Sequence, residues 1–146
     1  MIAFGAAADT VVIVATPEPT AITDAYAAMK AFALERHESR HASSASAGSM
    51  GVIVNQCESR HEGKQVYERL AGVAARFLHV PVTDYGYILH DDHVTAAIRA
   101  RTPVLLGYPR CSASSCLLAS AARLSAELGQ PVVGESLFSR VMRMFV

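Results

Sequence analysis

Net charge is the first thing this chain lacks. Thirteen Lys and Arg residues balance thirteen Asp and Glu residues, which removes any global electrostatic reason to expect nucleic acid as a partner. The balance also weakens colloidal stability and hints at self-association. Charge of either sign is scarce: 18% of residues are charged and 51% are hydrophobic, a balance that suits a parallel sheet covered by helices. Cysteine is sparse and odd in number. Cys57, Cys111 and Cys116 have no disulfide-framework spacing and read as reduced thiols of a cytosolic protein. No basic segment precedes a long apolar stretch at the amino terminus, so no signal peptide is expected. No apolar run is long enough to span a bilayer, and the expected location is cytoplasmic, at most peripheral at the inner face of the cell membrane. Internal repeats are absent, and 146 residues are the size of one ordinary domain.

What is present reads as alternating strands and helices. Thr10 to Ala15 is a β-branched run without alternation, the pattern of a strand buried on both faces at a sheet centre. Pro17 and Pro19 end it. Thr20 is the expected N-cap of a helix to about Glu38, with Ile22, Tyr26, Met29 and Ala33 on its inner face. Ser39 to Ser49 is low in complexity and reads as a surface loop. Met50 to Val54 is a second buried strand, and Asn55 to Arg60 a loop. Glu62 to about Leu78 is an amphipathic helix carrying Val66, Leu70, Val73 and Phe77. Val82 to Leu89 is a third strand, interrupted by Gly86. Asp91 and Asp92 suit the N-terminus of a helix from His93 to Ala100. Pro103 to Leu106 reads as a short extended piece, Ser112 to about Leu128 as a long helix. Gly129, Pro131 and Gly134 form a break before a closing amphipathic helix. This succession predicts an α/β fold, a parallel sheet with helices on both faces.

One motif is missing altogether. A nucleotide phosphate loop needs Gly-x-x-x-x-Gly-Lys-Ser/Thr, because backbone N–H groups and a lysine must surround the phosphates. The one Gly-Lys here, Gly63-Lys64, is followed by Gln65 and has Glu58 at the earlier glycine position. No Asp-x-Gly motif follows a strand to hold magnesium or position a water. On these residues the chain has no apparatus for hydrolysing ATP and is expected to be inactive alone.

The segment Val12-Ile13-Val14-Ala15-Thr16-Pro17-Glu18-Pro19-Thr20-Ala21-Ile22-Thr23-Asp24-Ala25-Tyr26 nevertheless resembles the MinD/ParA-type ATPases, most closely the flagellar-number regulators of the FlhG kind. Further matches follow in order. They are Val52-Ile53-Val54-Asn55-Gln56, Gly63-Lys64 with Tyr67 and Leu70, Gly86-Tyr87-Ile88 with Asp92 and Val94, then Ala97 and Thr102-Pro103. The resemblance covers nearly the whole chain and corresponds to the second half of such an ATPase. It implies a P-loop NTPase fold lacking its N-terminal half, with residues 1–130 as the ATPase-domain portion and 131–146 as the break and terminal helix. Met1 begins as if inside secondary structure, which suits a fragment or truncated product.

The resemblance also implies a nucleotide site. Asn55 would hydrogen-bond the adenine edge of ATP, the backbone at Leu89 and His90 would border the pocket, and Glu18 would lie near the nucleotide and the dimer face. Magnesium would bind only with the missing half supplied. Gln56 stands where arginine is commoner, and His90 where proline is more usual. Taken without the resemblance, Asn55 is a loop amide capping its own turn and Glu18 a solvated carboxylate.

Other constellations are weaker. His90-Asp91-Asp92-His93 brings metal-ligand types together, but adjacent residues at a helix start diverge. Cys111 and Cys116, five residues apart, point in different directions along a helix, and small packing residues explain them. The terminal segment places Leu137, Phe138, Val141, Met142 and Phe145 on one face, with Arg140 and Arg143 off it. That suits a helix in the headgroup layer of a membrane and resembles the membrane-targeting helix of MinD-like proteins; docking on the core is the alternative. So weak an anchor would need dimerisation to hold. The expected function is an ATP-binding regulator of flagellar assembly or cell-pole and division placement, acting as a homodimer or with a chain carrying the missing half, on flagellar or cell-pole proteins. The alternative is a non-catalytic interaction module that pairs with another chain through the exposed edge beside Thr10 to Ala15. A small enzyme using the cysteines is the third option.

Overall fold

A computed structural model describes residue 8 and residues 10–40 and 49–129. The elements are β1 (Thr10–Ala15), α1 (Pro19–Arg40), β2 (Ser49–Cys57), α2 (Arg60–Leu78), β3 (Thr83–Leu89), α3 (Asp92–Arg99), α4 (Val104–Gly107) and α5 (Ser112–Glu127). The strands pair in parallel in the order β1-β2-β3. Successive right-handed crossovers in one direction place both connecting helices on the same face, and α1 and α2 pack against each other there.

Side-chain alternation separates the two faces. Val52 and Val54 in β2, both fully buried, stand opposite Ile13 and Ala15 of β1. They meet Ala25 and Met29 of α1 and Val66, Leu70 and Ala74 of α2 in the main core. Met29 and Leu70 are 0% and 1% exposed, and such burial contributes roughly 1.5–3 kcal/mol per side chain. The opposite face carries Gly51 and Ile53, with Tyr85 lying over Gly51, and α5 packs on β3 there. Helices therefore cover both faces of the sheet.

Several expectations change. β1 is not central: it is an edge of the sheet among the described residues, and Val14 is 61% exposed on the α5 face. Thr20 does not cap α1. Pro19 is already the first helical residue, where its fixed φ and missing N–H cost nothing, and the Glu18 carbonyl accepts from the Ile22 N–H at 3.0 Å. The helix continues to Arg40, so residues 39 and 40 are not loop, and Ser49 belongs to β2. Asn55, Gln56 and Cys57 are strand, not loop. In α2 the buried face is Gly63, Val66, Leu70 and Ala74, whereas Phe77 is 60% exposed. Pro103 to Leu106 is not extended: Pro103 precedes the short helix α4. The expected amphipathic face Leu137, Phe138, Val141, Met142 and Phe145, with Arg140 and Arg143, lies outside the described residues, as do Pro131 and Gly134 of the break.

Candidate functional site

Parallel strands bring all their carboxyl ends to one side of the sheet, where ligands of open α/β sheets bind. Glu18 follows β1, Asn55 lies near the end of β2, and Leu89 and His90 close β3. The topology thus brings the four predicted residues to one edge. The β2–β3 register passes from Val54↔Tyr87 to Cys57↔Leu89, so Asn55 and Gln56 oppose Ile88 alone. This is a β-bulge, with Gln56 in the left-handed region at φ 59°; bulges re-aim side chains and recur beside active sites. Past it, the His90 N–H donates to the Cys57 carbonyl at 2.8 Å and extends the ladder to the start of the next loop. Asn55 itself is half-buried. The Glu18 side chain is exposed, and hydrogen bonds from the Thr16 hydroxyl and its own backbone N–H hold its carboxyl below the usual range.

The loop after β3 is pinned by Asp91, whose side chain is only 8% exposed. Its Oδ2 accepts from the Ala113 N–H at 3.1 Å, and its Oδ1 accepts from the His93 N–H at 3.0 Å and lies 2.7 Å from His93 Nδ1. One carboxylate therefore serves the N-termini of α3 and α5 together. These bonds, that from Ala113 foremost, hold the Asp91 carboxyl well below the usual range. The His93 ring meets Tyr108 at a centroid distance of 4.8 Å. Cys111 is also structural: its Sγ accepts from the Ser114 N–H at 3.4 Å as the cap of α5. Burial pushes the Cys57 thiol up to about 11, far from a reactive thiolate. Among the described residues no group of three His, Cys, Asp or Glu is placed to hold a metal ion, and no helix is long and apolar enough to cross a membrane.

Gly63-Lys64 has no phosphate-loop geometry. Gly63 is buried inside α2, where an added Cβ would stand 2.7 Å from the Tyr87 Cβ, and Lys64 Nζ reaches Glu68 Oε1 at 3.5 Å. Asp84-Tyr85-Gly86 is an Asp-x-Gly within β3 rather than after it. Its carboxylate accepts from the Gly86 N–H at 2.8 Å and pairs with Arg123 at 3.6 Å.

Sequence reasoning missed a groove along the outer edge of β3, between α2 and α5. Its two halves share Arg60, Gly86, Tyr87 and Arg123. No sequence signal marks it, because the residues come from three elements and meet only when α5 docks.

No family model matches the chain. It is 32% identical over 124 residues to "Antiactivator FleN" of Pseudomonas aeruginosa, an alignment covering 85% of this chain and 41% of that protein. It is 42% identical over 72 residues to "Flagellum site-determining protein YlxH" of Helicobacter pylori, covering 49% of this chain and 21% of that protein. The chain thus spans less than half the length of either relative. Its resemblance to FlhG-like, MinD/ParA-type flagellar regulators is real, and the parallel α/β sheet agrees with it.

Proposed function

We propose that this chain is the adenine-side portion of an ATP-dependent regulator of flagellar number or placement. The observation that carries the reading is the bulge at Asn55 and Gln56, on the same sheet edge as Glu18, Leu89 and His90. The Asn55 amide can donate and accept at once, the pattern needed to read the adenine edge. The backbone at Leu89 and His90 borders the base, and Glu18 stands toward the nucleotide and a dimer partner. The sequence contains no Gly-x-x-x-x-Gly-Lys-Ser/Thr motif, so in this proposal triphosphate binding, magnesium and hydrolysis are supplied by polypeptide from outside it. In the same proposal ATP drives dimerisation, and Leu137, Phe138, Arg140, Val141, Met142, Arg143 and Phe145 form a weak membrane anchor that a dimer doubles. The protein acts in the cytoplasm and at the inner membrane face.

A second reading is an interaction module without nucleotide chemistry, favoured by the β1 edge, unpaired among the described residues, and the exposed Val14. Calorimetry with ATP and ADP separates the two. The nucleotide reading expects saturable binding of both, weakened about tenfold in Asn55→Ala by loss of a hydrogen bond worth roughly 1–1.5 kcal/mol. Absence of binding at millimolar nucleotide would sink it and leave the module.

A further inference from the structure

The groove along β3 divides into chemically different halves. Between α2 and β3 two of its three cations are matched, Lys64 at 3.5 Å from Glu68 and Arg123 Nη1 at 3.6 Å from Asp84, while Arg60 borders both halves. Between β3 and α5 is a cleft of about 280 Å³ bounded by Arg60, Gly86, Tyr87, Ser120 and Arg123, with no carboxylate in its wall. Arg60 makes no ion pair with any described residue.

Ser120 is the informative residue here. It is 5% exposed, and its Oγ is buried without a hydrogen-bond partner. A buried hydroxyl is costly to leave unpaired, and such groups in native structures point to a missing ligand or water. Gly86 is built around it. At φ 109° the residue takes a conformation that side chains rarely adopt, and an added Cβ would stand 2.9 Å from Ser120 Oγ and 3.1 Å from Arg123 Nη1. The glycine therefore lets the Ser120 hydroxyl and the Arg123 guanidinium approach the strand closely, side by side at the wall of the cleft.

We propose that this half of the groove binds the phosphate group of a small phosphorylated molecule. Arg60, and Arg123 shared with Asp84, supply the charge, and Ser120 Oγ donates a hydrogen bond. Three donors from two elements, Arg60 of α2 and Ser120 and Arg123 of α5, border the cleft, and donors on opposite walls suit the several oxygens of a tetrahedral anion better than a planar carboxylate. The site is separate from the proposed adenine pocket and does not rest on it.

The test is an NMR titration of the chain with inorganic phosphate and glycerol 3-phosphate, with succinate as the carboxylate comparison. Saturable shifts at the Gly86 and Ser120 amides are expected, with phosphate at least tenfold tighter than succinate. Ser120→Ala and Arg123→Gln should each weaken phosphate binding about tenfold, and Asn55→Ala should leave it unchanged. Ser120→Ala removes an unpaired buried hydroxyl, so its thermal midpoint should equal or exceed that of the parent chain, which separates lost binding from lost folding. Shifts that do not saturate by tens of millimolar, equal affinity for succinate, or affinity untouched in both variants would each overturn the proposal.

Discussion

Two glycines show how much a single Cβ can decide. At Gly51 in β2 an added Cβ would fall within the ring of Tyr85, which is fully buried and cannot retreat. Gly51→Ala is therefore expected to destabilise by about 1–3 kcal/mol, the usual cost of overpacking. Gly72, inside α2, has nothing within 4 Å of such a Cβ. Gly72→Ala should stabilise by about 0.5–1 kcal/mol through helix propensity and a less flexible unfolded chain. Urea denaturation of the pair reads both signs at once. Asp91 makes a different kind of contribution. Its folded pKa is depressed by the Ala113 and His93 hydrogen bonds, so its stabilisation is fully present above the unfolded value of about 3.9 and is lost as pH falls below it. Between pH 7 and pH 3 the urea midpoint of the parent chain should fall further than that of Asp91→Asn. Equal falls would remove the carboxylate from the acid response.

At the scale of elements, local signals marked most of what formed. The Ser59 Oγ accepts from the Glu62 N–H at 3.2 Å, and Glu62 Oε2 accepts from the Glu58 N–H at 2.7 Å, so α2 begins in a reciprocal cap displaced by one residue. Ser59→Ala should cost about 1 kcal/mol, measured by thermal or urea unfolding. Where the reading of an element erred, a neighbour in space was responsible. The apolar spacing through Phe77 suggested one face of α2, but the contact of Gly63 with Tyr87 and Cys57 turns the helix so that Ala74 enters the core. The four residues of α4 carry too short a period to distinguish a helix from an extended piece. Asn55 was legible as the residue just past an apolar strand, whereas the structure makes it part of β2. The bulge that re-aims it was not, because a bulge is a mismatch between two strands and neither strand records it alone.

For the whole molecule, the flank of the sheet at β1, uncovered among the described residues, is the dominant feature. β1 is an all-apolar strand apart from Thr10, pairs with β2 alone among the described residues, and itself carries no charge, proline or bulge. Val12 and Val14 lie on the face that α5 reaches only over β3, and Val14 is 61% exposed. Natural edges are usually blunted by such devices. Concentration-dependent association is therefore expected in light scattering, and Val14→Lys should lower it several-fold without loss of the fold. An unchanged association constant would show that contacts elsewhere drive it.

Composition and periodicity by themselves determined that this is a parallel α/β protein and roughly where its three described strands run. Those properties depend on residue types and their order, which folding does not alter. Tertiary structure alone decided that one carboxylate at Asp91 serves two helices, and that Arg60, Gly86, Ser120 and Arg123 border one cleft. Each is a relation between residues far apart in the chain. It exists only once α5 has docked on β3 and the strands have taken their register, because the attractions that create it act through space rather than along the backbone.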